Sequence, residues 1–156
     1  MNAGITAEDN RSELSAGSAV TLEITAYGSE GQGIARHNGM AVFVPGAICG
    51  ETVEAEIKKA APSFAEAKLQ KILRPSAERV IPPCPHYAEC GGCDILHMSY
   101  AEQLRMKRET VRSAMERIGG FRGIEVLPCI GADKPEHYRN KAVFQFANAE
   151  KTNKKN

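Results

Sequence analysis

Five short β-prone segments within residues 18–75 are the feature that most constrains the fold of this chain. The segments at 20–25 and 51–58 alternate apolar and polar residues, which is the period of a half-buried strand. Met40 to Val44 is apolar and β-prone, and glycines or prolines separate the segments. Asn38-Gly39 is typical of a two-residue hairpin turn. The last segment, 64–73, favours helix by intrinsic propensity, but a fifth strand would close a barrel, and we predict a strand. The pattern therefore predicts a small five-stranded OB-like barrel, a fold that commonly binds oligonucleotides.

Residues 99–118 carry the clearest helical pattern in the chain. Ser99 and Glu102 form a predicted capping box, in which Ser99 accepts a bond from a helix amide and Glu102 bonds back to the amide of Ser99. Gly119-Gly120 is expected to end the helix. Four apolar residues recur at helical spacing and predict the packed face of this helix, namely Leu104, Val111, Met115 and Ile118.

Three cysteines, Cys84, Cys90 and Cys93, lie in a segment, 76–98, that has little regular periodicity and needs something other than a core to order it. Thiolates are soft ligands for zinc and for iron–sulfur clusters. Gly91-Gly92, between the second and third cysteines, permits a tight turn and lets amides approach cluster sulfurs. The spacing therefore indicates a metal site.

The residues alone leave the nature of this site open. Free structural thiols are one explanation, although three cysteines so close together argue against it. Zinc is a second, with His86 or His97 completing a Cys3His set. An iron–sulfur cluster is the third, and composition does not separate it from zinc.

Residues 84–120 resemble the iron–sulfur segment of the bacterial uracil-5 methyltransferases that modify 23S ribosomal RNA. The matching positions are Cys84-Pro85-His86, Cys90-Gly91-Gly92-Cys93, His97, Tyr100, Gln103-Leu104 and Arg117-Ile118-Gly119-Gly120. The resemblance implies that residues 18–75 are a TRAM barrel that binds RNA. It also implies that the three cysteines hold a [4Fe-4S] cluster, with zinc as the alternative, whose fourth cysteine lies further downstream. Tyr138 to Lys141 resembles the family's entry into its central β region.

The family's implied chemistry needs a cysteine nucleophile, a carboxylate base and a domain that binds S-adenosylmethionine. We find none of these in the sequence. The glycines of residues 27–33 lie between strands and indicate a hairpin turn, and neither Cys49 nor Cys129 has the surroundings of a nucleophile. We therefore expect no catalytic residue in this chain, and S-adenosylmethionine only in the complete enzyme.

RNA contacts are expected from a local patch, because the net charge of the chain is only +1. Basic residues of the barrel are the candidates for phosphate contacts. They are Arg36, Lys58, Lys59 and Lys68, with Lys71 and Arg74 as further members. Beyond the barrel, Tyr138, Arg139 and Lys141 are candidates for stacking and ion pairing with RNA.

The predicted fold class is mainly β with one clear helix: an OB-like barrel, then a cysteine-rich segment, a helix and two orphan strands. The first four predicted units are a disordered leader at 1–17, the TRAM barrel at 18–75, the iron–sulfur segment at 76–98 and the helix at 99–120. The start of a central β region follows at 121–146, with strands at 124–128 and 142–146. An atypical disordered tail is predicted at 147–156. The abrupt change to a lysine- and asparagine-rich tail indicates a chain truncated before its catalytic domain.

The predicted function is that of the RNA-binding, iron–sulfur N-terminal portion of an RNA (uracil-5-)-methyltransferase, acting on 23S ribosomal RNA when complete. The alternatives are a stand-alone TRAM-type RNA-binding protein and a zinc-ribbon-like structural protein. The sequence has neither a membrane span nor a secretory signal, so we expect a cytoplasmic protein. We expect it to be a monomer, and its expected partner is RNA, in particular ribosomal RNA.

Overall fold

The computed structural model describes residues 14–138, 140 and 141. Within them the chain forms a five-stranded barrel followed by two helices. The elements are β1 Ala19–Tyr27, β2 Gly33–His37, β3 Met40–Val44, β4 Thr52–Ala60, β5 Phe64–Arg74, α1 Tyr87–Cys90 and α2 Tyr100–Arg117. The predicted five-stranded barrel and the predicted helix are confirmed.

The barrel closes in the order β1-β2-β3-β5-β4, with β4 pairing back to β1. All pairs are antiparallel except β3 and β5. The β4–β5 ladder contains irregularities at Thr52/Val53, Glu54/Ala55 and Ile57/Lys59, and such bulges bend and twist a strand enough to close a small barrel. The segment with helical propensity is β5, because its place between β3 and β4 completes the ladder.

The barrel core consists of aliphatic side chains and alanines. Leu22, Ile24, Val42, Val53 and Ile57 are almost completely buried, and alanines fill the space between them. Both phenylalanines of the barrel strands lie outside this core. The inward residues alternate with outward ones along each strand, as the sequence pattern predicted.

Residues 14–17, the described end of the predicted disordered leader, pack against the barrel instead. Leu14 contacts the core, and the amide of Gly17 donates to the carbonyl of Ile57 at 2.7 Å. That bond occupies a backbone acceptor at the barrel edge, which explains why the chain is held there. Residues 1–13, Arg139, the predicted strand at 142–146 and the predicted tail at 147–156 lie outside the described residues.

Helix α2 is docked on the barrel through a second apolar cluster and a polar network. Ile48, Met98 and Met106 form the buried cluster, with Tyr27 packed against it. The Tyr27 hydroxyl donates to the carboxylate of Glu102 and accepts from the amide of Cys49. Burial and the Glu102 carboxylate together raise the pKa of Tyr27. Barrel and helix are therefore one packed structure.

The predicted capping box is half correct. Ser99 Oγ accepts from the amide of Glu102 at 3.2 Å, as predicted. The return bond does not form, because Glu102 is buried against the barrel and pairs with Tyr27 and Arg105. The amide of Ser99 donates to the carbonyl of Glu78 instead.

The predicted packed face of α2 is wrong at Val111 and Ile118, whereas Leu104 and Met115 are half-buried. Val111 is 51% exposed and Ile118 is 89% exposed, whereas the buried residues of the helix are Glu102 and Met106. The tertiary contact with Ile48 selects a different face from the one that has the most apolar residues.

The predicted strand at 124–128 is also wrong. These residues form no strand in the described chain, because no neighbouring strand pairs with them. The segment lies along α2: Arg108 Nε donates to the carbonyl of Val126 at 2.6 Å, and the amide of Ala132 donates to the Tyr100 hydroxyl at 2.7 Å. Among the described residues, no helix has the length and apolar character needed to cross a membrane.

Candidate functional site

The three cysteines lie on a loop, residues 80–97, whose two ends are paired with each other. The amide of Val80 donates to the carbonyl of His97 at 3.0 Å, and Arg79 and Met98 form an antiparallel bridge. The Ser99 hydroxyl donates to the carboxylate of Glu78. This segment, which we call the cysteine loop, therefore has a fixed base although it contains no strand.

A buried ion pair joins the base of the cysteine loop to the barrel. Arg79 donates through Nε to Glu51 Oε1 at 2.6 Å and through Nη2 to Glu51 Oε2 at 2.8 Å, and Glu51 is fully buried. Arg79 Nη2 also donates to the carbonyl of Gly46 at 2.7 Å. Burial by itself would raise the pKa of Glu51, but the bonds from Arg79 and from the amide of Ile48 outweigh it and lower that pKa.

His97 forms the inner wall of the loop and is 4% exposed. The Tyr87 hydroxyl lies within hydrogen-bond distance of both the Asp94 carbonyl and His97 Nδ1. Because a carbonyl only accepts, the hydroxyl proton goes to Asp94, and Nδ1–H of His97 donates to the Tyr87 oxygen. Nε2 of His97 then carries a lone pair and has no partner.

The imidazole of His97 is neutral at physiological pH. Burial, together with the nearby positive charge of Arg79, lowers the pKa of His97 to about 4. His86 and His97 were the alternative fourth zinc ligands predicted from the sequence. His86 is exposed, whereas His97 is buried and its Nε2 has no hydrogen-bond partner.

Cys84, Cys90 and Cys93 are free, exposed thiols. Helix α1 ends at Cys90, and Gly91 follows in the left-handed conformation with φ of 65°. A Cβ on Gly92 would lie 3.3 Å from Cys90 Sγ, so this glycine allows the sulfur to approach the backbone. Gly91 thus makes the tight turn that the sequence predicted, whereas the approach of amides to cluster sulfurs stays a prediction.

The donor set fits a thiolate-bound cluster or zinc by ligand type, because three soft ligands lie on one short loop and supply three of the four that either group takes. Within residues 14–138, 140 and 141, no three metal-binding side chains are already close enough together to hold an ion. Ligation would therefore have to draw the exposed thiols together at the tip of a loop whose base is already fixed.

A second candidate site is an open groove of about 1080 Å³ on the outer face of the barrel. Phe43, Phe64, Lys58 and Lys68 line it, together with Glu30 and Glu66. The two aromatic rings meet edge to face, with centroids 5.9 Å apart, and Lys59 Nζ lies 6.0 Å from the centroid of Phe64. We call this surface the barrel groove.

Two of the four basic residues first predicted to bind RNA, Lys58 and Lys68, line the barrel groove, and a third, Lys59, lies over the Phe64 ring beside it. Arg36 is not among its lining residues; its Nη1 donates to the carbonyl of Gly39 at 2.9 Å, within its own hairpin. Tyr138 and Lys141 are exposed and do not line the groove, nor do Lys71 and Arg74. Arg74 lies 3.6 Å from the carboxylate of Glu23 instead.

Phe43 and Phe64 were not among the residues predicted from the sequence to contact RNA. The signal was present, because Phe43 lies between Val42 and Val44 and Phe64 directly precedes Ala65 in β5. An alternating strand with small or branched inward residues places the intervening aromatic on the outer face.

Residues 14–70 match the TRAM domain family. The chain is 48% identical over 124 residues to an uncharacterized RNA methyltransferase of Clostridium tetani, covering 80% of this chain and 27% of that protein. It is 41% identical over 144 residues to an uncharacterized RNA methyltransferase of Halalkalibacterium halodurans, covering 91% of this chain and 31% of that protein.

Among solved structures, the chain is similar to the tRNA (uracil-54, C5)-methyltransferase of Pyrococcus abyssi, with 27% identity and a TM-score of 0.46. That match covers 69% of this chain and 23% of the archaeal enzyme. The chain thus spans less than a third of the length of the curated relatives that it matches. Residues 14–70 are a TRAM domain, and most of the chain is homologous to part of the RNA methyltransferases.

Proposed function

We propose that this chain is the RNA-binding and iron–sulfur-binding portion of an S-adenosylmethionine-dependent uracil-5 RNA methyltransferase that acts on 23S ribosomal RNA when complete. The observation that carries the proposal is the attachment of a loop of three free thiols to a TRAM barrel through the ion pair between Arg79 and the buried Glu51. The homology to RNA methyltransferases supports RNA as the partner. The uracil-5 chemistry and the 23S target rest on the motif resemblance of residues 84–120.

In this proposal the barrel and the loop have separate tasks. The barrel would hold RNA, and Cys84, Cys90 and Cys93 would hold a [4Fe-4S] cluster. When bound, the cluster would cross-link three points of a segment that has no apolar core of its own. The Arg79–Glu51 pair would transmit this order to the barrel, because it fixes one end of the loop. Methyl transfer would belong to a cofactor-binding domain and a cysteine nucleophile, which the resemblance implies for the complete cytoplasmic enzyme.

Anaerobic reconstitution with iron and sulfide tests the cluster. The protein should gain the broad visible absorbance of thiolate-bound iron, together with iron and acid-labile sulfide in equal amounts. Cys84→Ser, Cys90→Ser and Cys93→Ser should each lose most of it, because each removes a ligand. Cys49→Ser is the matched control and should retain it, because Cys49 lies in the barrel beside Tyr27.

Two outcomes would contradict the cluster proposal. Stoichiometric zinc without sulfide, lost in the same three variants, would identify a zinc site instead. Unchanged iron and sulfide in all three variants would show that the cysteine loop is not the ligand set.

For the RNA partner, binding of a 23S fragment should be stronger than binding of transfer RNA of equal length, and the reverse order would refute the ribosomal target.

A further inference from the structure

We propose that the barrel groove is a stacking site for unpaired bases of single-stranded RNA, with Phe43 and Phe64 as the stacking residues. This inference rests on the proposed RNA-binding function and adds the surface, the residues and the strandedness of the ligand. Three observations carry it: the outward placement of both aromatic rings, their mutual geometry, and the balanced charge around them.

Both phenylalanines of the barrel strands lie on its outer face, where each is half-buried. Phe43 faces outward because Val42 and Val44 are completely buried, and Phe64 faces outward beside the buried Ala65. Large apolar side chains that adjoin each other on an outer surface are candidates for an interaction site. The barrel core meanwhile is built without an aromatic ring.

The geometry of the pair suits a flat ligand. The rings stand at 80° to each other with centroids 5.9 Å apart, so they form two walls of a corner. A base that stacks on one ring would contact the edge or face of the other. The ammonium of Lys59 lies over the Phe64 ring at 6.0 Å, which is within the range of a cation–π contact. An arriving base would take its place, and the lysine would then be near the phosphate of the same nucleotide.

The charge around the groove distinguishes a single strand from a duplex. Lys58 and Lys68 are offset by Glu30 and Glu66 within the lining, and Lys58 is also bonded to Glu56 at 2.6 Å. A duplex hides its base faces and offers mainly phosphates, for which a balanced groove has little attraction. A single strand exposes base faces, and stacking on aromatic side chains is the contact that every base can make.

A tryptophan reporter tests the inference directly, because the chain contains no tryptophan. Phe64→Trp places an indole in the groove, and Phe121→Trp places one on an exposed phenylalanine after α2 as the matched control. Both proteins are titrated with oligouridine and with a duplex of equal length, and binding is followed in parallel by anisotropy of labelled RNA. We expect oligouridine to quench the groove tryptophan and to leave the control unchanged, with much weaker binding of the duplex.

Affinity measurements with Phe43→Ala and Phe64→Ala complete the test. Each should weaken oligouridine binding about tenfold, since one stacked base is lost. Phe64→Leu keeps apolar bulk if the alanine variant unfolds, and it should lose affinity equally. If the wild-type chain binds RNA but the groove tryptophan is not quenched and these variants bind normally, the inference is wrong and the groove serves another occupant, such as a protein segment. If the wild-type chain binds no RNA, the proposed function fails as well.

Discussion

His97 keeps a neutral imidazole in the wall of the cysteine loop, and this makes stability depend on pH. The folded chain holds the pKa of His97 at about 4, against an ordinary value of 6.5, because burial and Arg79 disfavour the imidazolium. Between about pH 4 and 6.5 the imidazole of His97 is protonated in the unfolded chain and neutral in the folded chain. The contribution of His97 to the free energy of unfolding is therefore fully present above about pH 6.5. It is lost as the pH falls toward 4, and the loss is at most about 3 kcal/mol.

Urea unfolding at several pH values across this window checks the prediction. His97→Phe should flatten the dependence, whereas the same change at the exposed His86 should leave it as in the wild type. An unchanged slope in His97→Phe would mean that other groups, such as the buried carboxylates, account for the acid sensitivity.

Single residues also show where sequence reasoning stops. Ser99 was predicted as the cap of α2 and is one, because capping depends on residues three positions apart. The partner of Glu102 could not be predicted, because the Tyr27 hydroxyl lies 75 residues away along the chain. The same holds for Arg79 and Glu51, which are 28 residues apart and meet only after the barrel has closed.

At the scale of elements, α2 gives a matched pair of substitutions. Met106→Ala removes a buried side chain from the cluster with Ile48 and Met98 and should cost about 2–4 kcal/mol of unfolding free energy. Val111→Ala, on the face that the sequence favoured, should change it by less than about 0.5 kcal/mol, because Val111 is half exposed. Chemical denaturation of both variants measures the difference, and equal effects would place the docked face of the helix elsewhere.

The elements that sequence predicted well are those fixed by alternation and closure. β5 has helical propensity, yet a five-stranded barrel needs a strand between β3 and β4, and the prediction rested on that need. Residues 124–128 have a strand-like composition, but a strand requires a partner, and composition does not supply one. The docked face of α2 was not predicted for a related reason: contacts with the barrel surface, and not the apolar pattern of the helix, determine which face is buried.

At the scale of the whole molecule, a net charge of +1 limits how RNA can be held. A uniformly basic protein neutralises many phosphates and loses affinity steeply with salt. Here two lysines, Lys58 and Lys68, line the barrel groove and Lys59 lies beside it over the Phe64 ring, so we expect a shallow dependence. With about 0.7 of a counterion released per phosphate on a single strand, three contacts give a slope of log affinity against log salt of about −2.

The salt dependence of oligouridine binding therefore separates the groove from the rest of the surface. Replacing Lys58 and Lys68 together by alanine should reduce the magnitude of the slope by about 1.4, because two phosphate contacts are lost. Replacing the exposed Lys107 and Lys134 changes the total charge equally and should leave the slope unchanged. Equal losses in both double variants would mean that RNA responds to the overall charge of the molecule. A loss confined to the first would tie phosphate binding to the barrel face that also carries Phe43 and Phe64.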